Sequence, residues 1–186
     1  MMASDDTSSI TYRAGLPLSW EHAAPPPAMT LAFWRHSNLA LLRALATIES
    51  VAATDKEHDA EPATAKVLER LEAKLDVALG LLARLTTSQT ELPPSSPVTL
   101  AIGKIEWLAP AASSPAPGSE GLVKLYLSLR LPEPLQLWVR ISATPVDADT
   151  VRCEAHFLDK DPEFDEWMTR TLFRYHRRAL QARHHE

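Results

Sequence analysis

Residues 135–141 read LQLWVRI, with aliphatic side chains at 135, 137, 139 and 141. A two-residue period sends successive side chains to opposite faces. The stretch therefore predicts a strand with Leu135, Leu137, Val139 and Ile141 toward a core. The same rhythm recurs on either side. Upstream it passes through Val98, Leu100 and Ile102, through Ile105 and Trp107, and through Val123, Leu125, Leu127 and Leu129. Downstream it passes through Val151, Cys153, Ala155 and Phe157. Short alternating runs separated by turn residues predict a small antiparallel barrel or sandwich. The residues between them are mixed (Lys124, Tyr126, Trp138, Arg140), so the other face is solvated or covered by a helix.

Prolines divide the rest of the chain. PPP at 25–27, PPSSP at 93–97 and PAASSPAPG at 110–118 read as turns or linkers, because Pro fixes φ and removes a donor. Residues 10–20, ITYRAGLPLSW, read as extended but irregular, since Gly15 and Pro17 exclude a helix. Residues 28–53 predict a helix with Leu31, Trp34, Leu41, Leu42, Leu45, Ile48 and Ala52 on one broad face.

A second helix is expected over about 62–87, opening at Pro62. There Leu68, Leu71, Leu75, Ala78, Leu82 and Leu85 follow the alternating three-and-four spacing of a heptad. Its flanks hold Glu72 and Lys74, but also Val67, Leu79 and Leu81, which widens the apolar face beyond a two-stranded seam. The stripe suits self-association in a bundle of more than two helices, a hairpin with helix 28–53, or both. A last helix starts at Asp161-Pro162-Glu163, a cap followed by Pro in the first turn. Phe164, Trp167, Met168, Leu172 and Tyr175 form its apolar stripe. Acidic residues stand at its start and arginines at its end, which complements the helix dipole.

The 186 residues are 45% hydrophobic and 23% charged, enough to bury a core. A net charge of −5 argues against a nucleic-acid coat, which needs positive charge to displace phosphate counterions, so no DNA or RNA partner is expected. The longest apolar run, Val77 to Ala83, is far short of the roughly 20 residues that span a bilayer. The N-terminus MMASDDTSSI lacks a basic and an apolar region and does not read as a signal peptide. A soluble, cytoplasmic protein is expected. Cys153 is the single cysteine, and its alternating context suggests a small buried hydrophobe.

Signatures of catalysis are missing from the sequence. It has no GxGxxG, Walker A loop or GxSxG elbow, and its histidines make no zinc spacing. Catalytic and metal-ligating residues are not expected. Glu72 and Asp76 read as a solvated helix flank. Arg170, Arg174, Arg177 and Arg178 form a basic helix end that suits either the dipole or a phosphate-bearing or acidic partner.

The order of elements and four stretches carry a resemblance. YRAGLPLSW (12–20), LERLEAKLDVALGLLARL (68–85), LQLWVRI (135–141) and DEWMTRTLFRYHRRAL (165–180) resemble the atypical, tetramer-forming PilZ family of bacterial cyclic di-GMP signalling. The resemblance implies an α+β fold: a small antiparallel PilZ-like β-barrel with a long heptad-repeat helix and a C-terminal helix. It divides the chain into an extended segment (1–27), a helical region (28–92) and a barrel with its last helix (93–186).

PilZ domains that bind cyclic di-GMP use an RxxxR before the barrel and a [D/N]xSxxG on an early strand. The second motif falls on residues 98–103. Gly103 is retained, whereas Val98 and Leu100 replace the polar residues. Aliphatic side chains there leave ligand polar groups unpaired, at about 1–3 kcal/mol each. No RxxxR precedes Val98. The resemblance thus implies a non-enzymatic, homotetrameric adaptor with a degenerate ligand motif, no cofactor and an unidentified signalling protein as partner. The alternative is a true cyclic di-GMP receptor that uses non-standard arginines such as Arg13, Arg170, Arg174, Arg177 and Arg178.

Overall fold

The alternating runs form strands in a computed structural model, which describes residues 11–54, 71, 92–129 and 131–183. In chain order the elements are β1 (Tyr12–His22), α1 (Ala28–Thr54), β2 (Ser95–Ala101), β3 (Lys104–Pro110), β4 (Glu120–Leu125), β5 (Leu135–Pro145), β6 (Thr150–Phe157) and α2 (Pro162–Arg183). A short 3-10 turn, Ala111–Ser113, follows β3. The strands close into an antiparallel barrel in the order β1-β2-β3-β6-β5-β4.

Alternation fills the barrel as expected along β5, where Leu135, Leu137, Val139 and Ile141 are all buried. They share one core with Val98, Leu100, Ile105, Val123, Leu125, Cys153 and Ala155. On the outer side of β5, Trp138 is also buried, because α1 packs there. Three residues leave the expected pattern. Ile102 sits in the β2–β3 turn and is exposed. Leu127 is buried beyond the end of β4, and Leu129 is exposed. Apolar periodicity outran the strands at both points, since it marks a face and not where the hydrogen-bonded ladder stops.

The largest correction concerns residues 12–22. Expected as an irregular extended segment outside the barrel unit, they are a regular strand that closes it. From Tyr12↔Leu100 to Pro17↔Ser95, β1 pairs with β2; from Leu18↔Leu125 to His22↔Gly121 it pairs with β4. Pro17 lies where β1 passes from one neighbour to the other. Its missing N–H costs little at such a seam, and its carbonyl accepts the Tyr126 N–H at 3.0 Å.

Both helices pack apolar stripes onto the core. Leu41, Leu42 and Leu45 of α1 are buried, with Leu31, Trp34 and Ile48 half-buried. On α2, Phe164, Met168, Leu172 and Tyr175 are buried and Trp167 is half-buried. The expected cap is present, with the Glu163 N–H donating to Asp161 Oδ1 at 3.0 Å. Phe157 at the end of β6 meets Phe164 edge-on, and Tyr12 on β1 meets Tyr175, so α2 spans between those two strands. Arg35 of α1 clasps Asp159 through Nε–Oδ2 at 2.7 Å and a second contact from Nη2, and Arg43 pairs with Glu163. Of the heptad positions only Leu71 is among the described residues, helical and half exposed; Leu68, Leu75, Ala78, Leu82 and Leu85 lie outside them.

Candidate functional site

Strand register decides which side chains share the outer wall of the barrel. Arg13 on β1 stands opposite Thr99 on β2, Thr99 opposite Glu106 on β3, and Glu106 opposite Glu154 on β6. Two residues further along β3, Leu108 stands opposite Arg152 of β6. Arg13, Thr99, Glu106, Leu108 and Arg152, with Ala14 and Pro97, line an open groove of about 610 Å³. Val98 and Trp107 also border it, although at 2% and 6% exposure they offer it almost no surface.

The charges along this wall fall into two kinds. Lys104 bridges Glu106 at 3.0 Å and Glu154 at 3.3 Å, and His156 Nε2 lies 2.8 Å from Glu154. The hydrogen bond to Glu106, together with Glu154, raises the pKa of the Lys104 ammonium, which stays charged and is no proton acceptor at neutral pH. On the same wall Arg13 and Arg152 are exposed, and among the described residues their side chains make no hydrogen bond or ion pair.

The expected site residues separate in space. Val98 and Leu100 are core side chains at 2% and 1% exposure, so the residue types at these positions answer to packing. The groove side of β2 carries Pro97 and Thr99 instead. Gly103 has φ 78 in the β2–β3 turn, and its carbonyl accepts the Phe157 N–H at 2.9 Å. The turn alone calls for glycine there. Arg13 lines the groove, whereas Arg170, Arg174, Arg177 and Arg178 do not. Arg170 is held by Glu166 at 2.5 Å and lies over the Trp167 ring, and Arg174 donates to Thr171 Oγ1 at 3.0 Å. Arg177 and Arg178 are exposed on α2.

Arg152 and Thr99 were not singled out by the sequence, where each is an ordinary outward residue of an alternating strand. Thr99 is the direct partner of Arg13 across β1 and β2, and the register through β3 brings Arg152 onto the same wall. Among the described residues no group of three or more His, Cys, Asp or Glu side chains is placed to hold a metal. No described helix is long and apolar enough to cross a membrane. Cys153 is fully buried, and burial pushes its thiol pKa up.

Comparison with known proteins places this architecture. No curated protein matches the chain. Among solved structures, a pathogenic protein from Xanthomonas campestris matches with a TM-score of 0.73 at 24% identity, over 94% of this chain and 92% of that one. It is described as a new tetrameric PilZ domain self-assembled via an unusual helical bundle. At that identity the likeness speaks for the fold, a PilZ-like barrel. The family described as "Atypical PilZ domain, cyclic di-GMP receptor" matches residues 42–184, most of the length. With the six-stranded barrel and its two helices, that match makes the chain a member of the atypical PilZ domain family of cyclic di-GMP signalling.

Proposed function

We propose that the protein is a non-enzymatic, oligomeric interaction module of cyclic di-GMP signalling, working in the cytoplasm without binding the dinucleotide in the usual PilZ mode. The observation that carries this reading is that Val98 and Leu100, aliphatic where the motif calls for polar residues, are turned into the core at 2% and 1% exposure. Assembly is a homotetramer built by Leu68, Leu71, Leu75, Ala78, Leu82 and Leu85. The heptad spacing supports this, as does the helical-bundle tetramer described for the Xanthomonas campestris protein. Calorimetric titration with cyclic di-GMP tests the first half: no saturable heat is expected up to high micromolar ligand. Light scattering on Leu75→Asp tests the second, with a fall in mass expected. An unchanged oligomer removes the heptad from the assembly.

A second reading, a receptor that binds the dinucleotide through non-standard arginines, draws support from the family description and from the position of Arg13 in an open groove. Saturable binding lost on Arg13→Ala favours it over the first.

A further inference from the structure

Guanidinium groups on protein surfaces commonly find a carboxylate, and among the described residues Arg35, Arg43, Arg140 and Arg170 do so in ion pairs. Among the described residues the side chains of Arg13 and Arg152 make no hydrogen bond or ion pair, and both line one groove of a chain whose net charge is −5. They rise from β1 and β6, with β2 and β3 between them. At about 4.8 Å per strand step, and with Arg152 set two residues along its strand from the Arg13 row, the two backbone positions lie roughly 16 Å apart, a gap that the long arginine side chains can narrow. The middle of the groove is different. Pro97 and Leu108, the latter 46% exposed, give it an aliphatic surface, and Glu106, tied to Lys104, gives it a negative floor.

This pattern of cation, apolar centre and cation selects among ligands. A compact polyanion would bring its charge to the centre, over Glu106. The groove is also open, whereas small-molecule sites enclose most of their ligand. An extended peptide meets the same surface well. At about 3.3 Å per residue, side chains four positions apart lie roughly 13 Å apart on one face of the strand, with the residue midway between them on that face too. We propose that the groove docks an extended acidic segment of a partner protein, with the spacing acid-x-aliphatic-x-acid. Its carboxylates meet Arg13 and Arg152, and its aliphatic residue covers Leu108 and Pro97. The proposal rests on the reading of the protein as an interaction module and gives the chemistry of its partner.

The test is fluorescence anisotropy on the full chain with a fluorescein-labelled peptide containing Glu-Thr-Leu-Thr-Glu. Binding that weakens with salt is expected, and a Lys-Thr-Leu-Thr-Lys counterpart should not bind. Reversing both charges, Arg13→Glu with Arg152→Glu, should weaken binding about tenfold or more, and Leu108→Asp should weaken it independently. Arg13 and Arg152 are exposed, so the variants should fold, which circular dichroism verifies. Absence of peptide binding, or equal binding by the charge-reversed variant, overturns the proposal. So does cyclic di-GMP binding that disappears in that variant while the peptide fails to bind. Light scattering on the same samples keeps the outcomes apart: peptide failure with an intact oligomer sinks the docking site alone, and loss of the oligomer in the wild type sinks the assembly.

Discussion

Asn38 of α1 stands in for a missing strand beside Gln136 of β5. Its Nδ2 donates to the Gln136 carbonyl at 2.9 Å, and the Gln136 N–H donates to its Oδ1, also at 2.9 Å. The β5–β6 pairing ends at Val139↔Phe157, and one more bond follows, from the Leu158 N–H to the Trp138 carbonyl at 3.0 Å. The chain then departs toward α2, leaving the Gln136 amide and carbonyl without a strand partner on that side. A carboxamide offers one donor and one acceptor, so a single side chain serves both groups. At 5% exposure Asn38 is one of the few buried polar residues of the described chain.

Asn38→Ala removes both bonds and leaves two part-buried backbone groups unsatisfied. A loss of about 2 kcal/mol is expected, toward the lower end for two such groups. Urea unfolding followed by tryptophan fluorescence measures it. A variant as stable as the parent shows that water reaches Gln136 freely.

Gly121 is fixed by a close approach. A Cβ placed there would lie 2.3 Å from the Glu21 carbonyl oxygen and 2.4 Å from the Trp20 ring. Gly121→Ala should therefore destabilise by about 1–3 kcal/mol, the range for overpacked sites. Adding Trp20→Ala should not restore parental stability, because the Glu21 backbone remains in the way. A thermal-melt series on the two single variants and the double variant decides this.

Writing the missing polar residues back into the motif strand should not create a ligand site. Val98→Asp and Leu100→Ser place polar groups among core side chains. Leu100→Ser should cost about 3 kcal/mol or more, from lost packing and an unpaired hydroxyl. Chemical denaturation is expected to report that loss, and calorimetry should report no gain in cyclic di-GMP binding. A gain would mean that β2 can turn its other face outward.

Cys153 should be inert while the protein is folded. Burial raises its pKa above that of an ordinary thiol, so the folded state holds its proton more tightly than the unfolded chain does. The resulting stability is fully present below the ordinary thiol pKa. It is lost as pH rises from there through the raised folded value. Ellman's reagent at pH 8 should label the thiol only upon denaturation.

Much of the barrel was legible because inward positions alternate with outward ones. Leu135 to Ile141 on β5 and Cys153 to Phe157 on β6 face inward as their pattern demands. The cap at Asp161 and the stripe from Phe164 to Tyr175 were equally plain, since helix-start chemistry and helical periodicity are local properties. What could not be read was register. Nothing local tells Tyr12 that its partner is Leu100, or Leu18 that its partner is Leu125. Gly15 and Pro17 excluded a helix but left the stretch irregular, because their place in a strand depends on a seam that exists only once the barrel closes. The groove is hidden for the same reason: Arg13 and Arg152 become neighbours only through the strands between them. Nothing in the sequence marks Asn38, because its partner is a backbone that no side-chain pattern reveals.

The divided pairing of β1 also has a kinetic consequence. Both of its neighbours lie far downstream, so β1 cannot be fully paired until β4 has been made. Such high contact order slows folding, since chain entropy must be given up before the long-range pairs form. Until then a proline-bearing strand is a poor template for intermolecular pairing, so Pro17 also guards the nascent chain against aggregation while it waits.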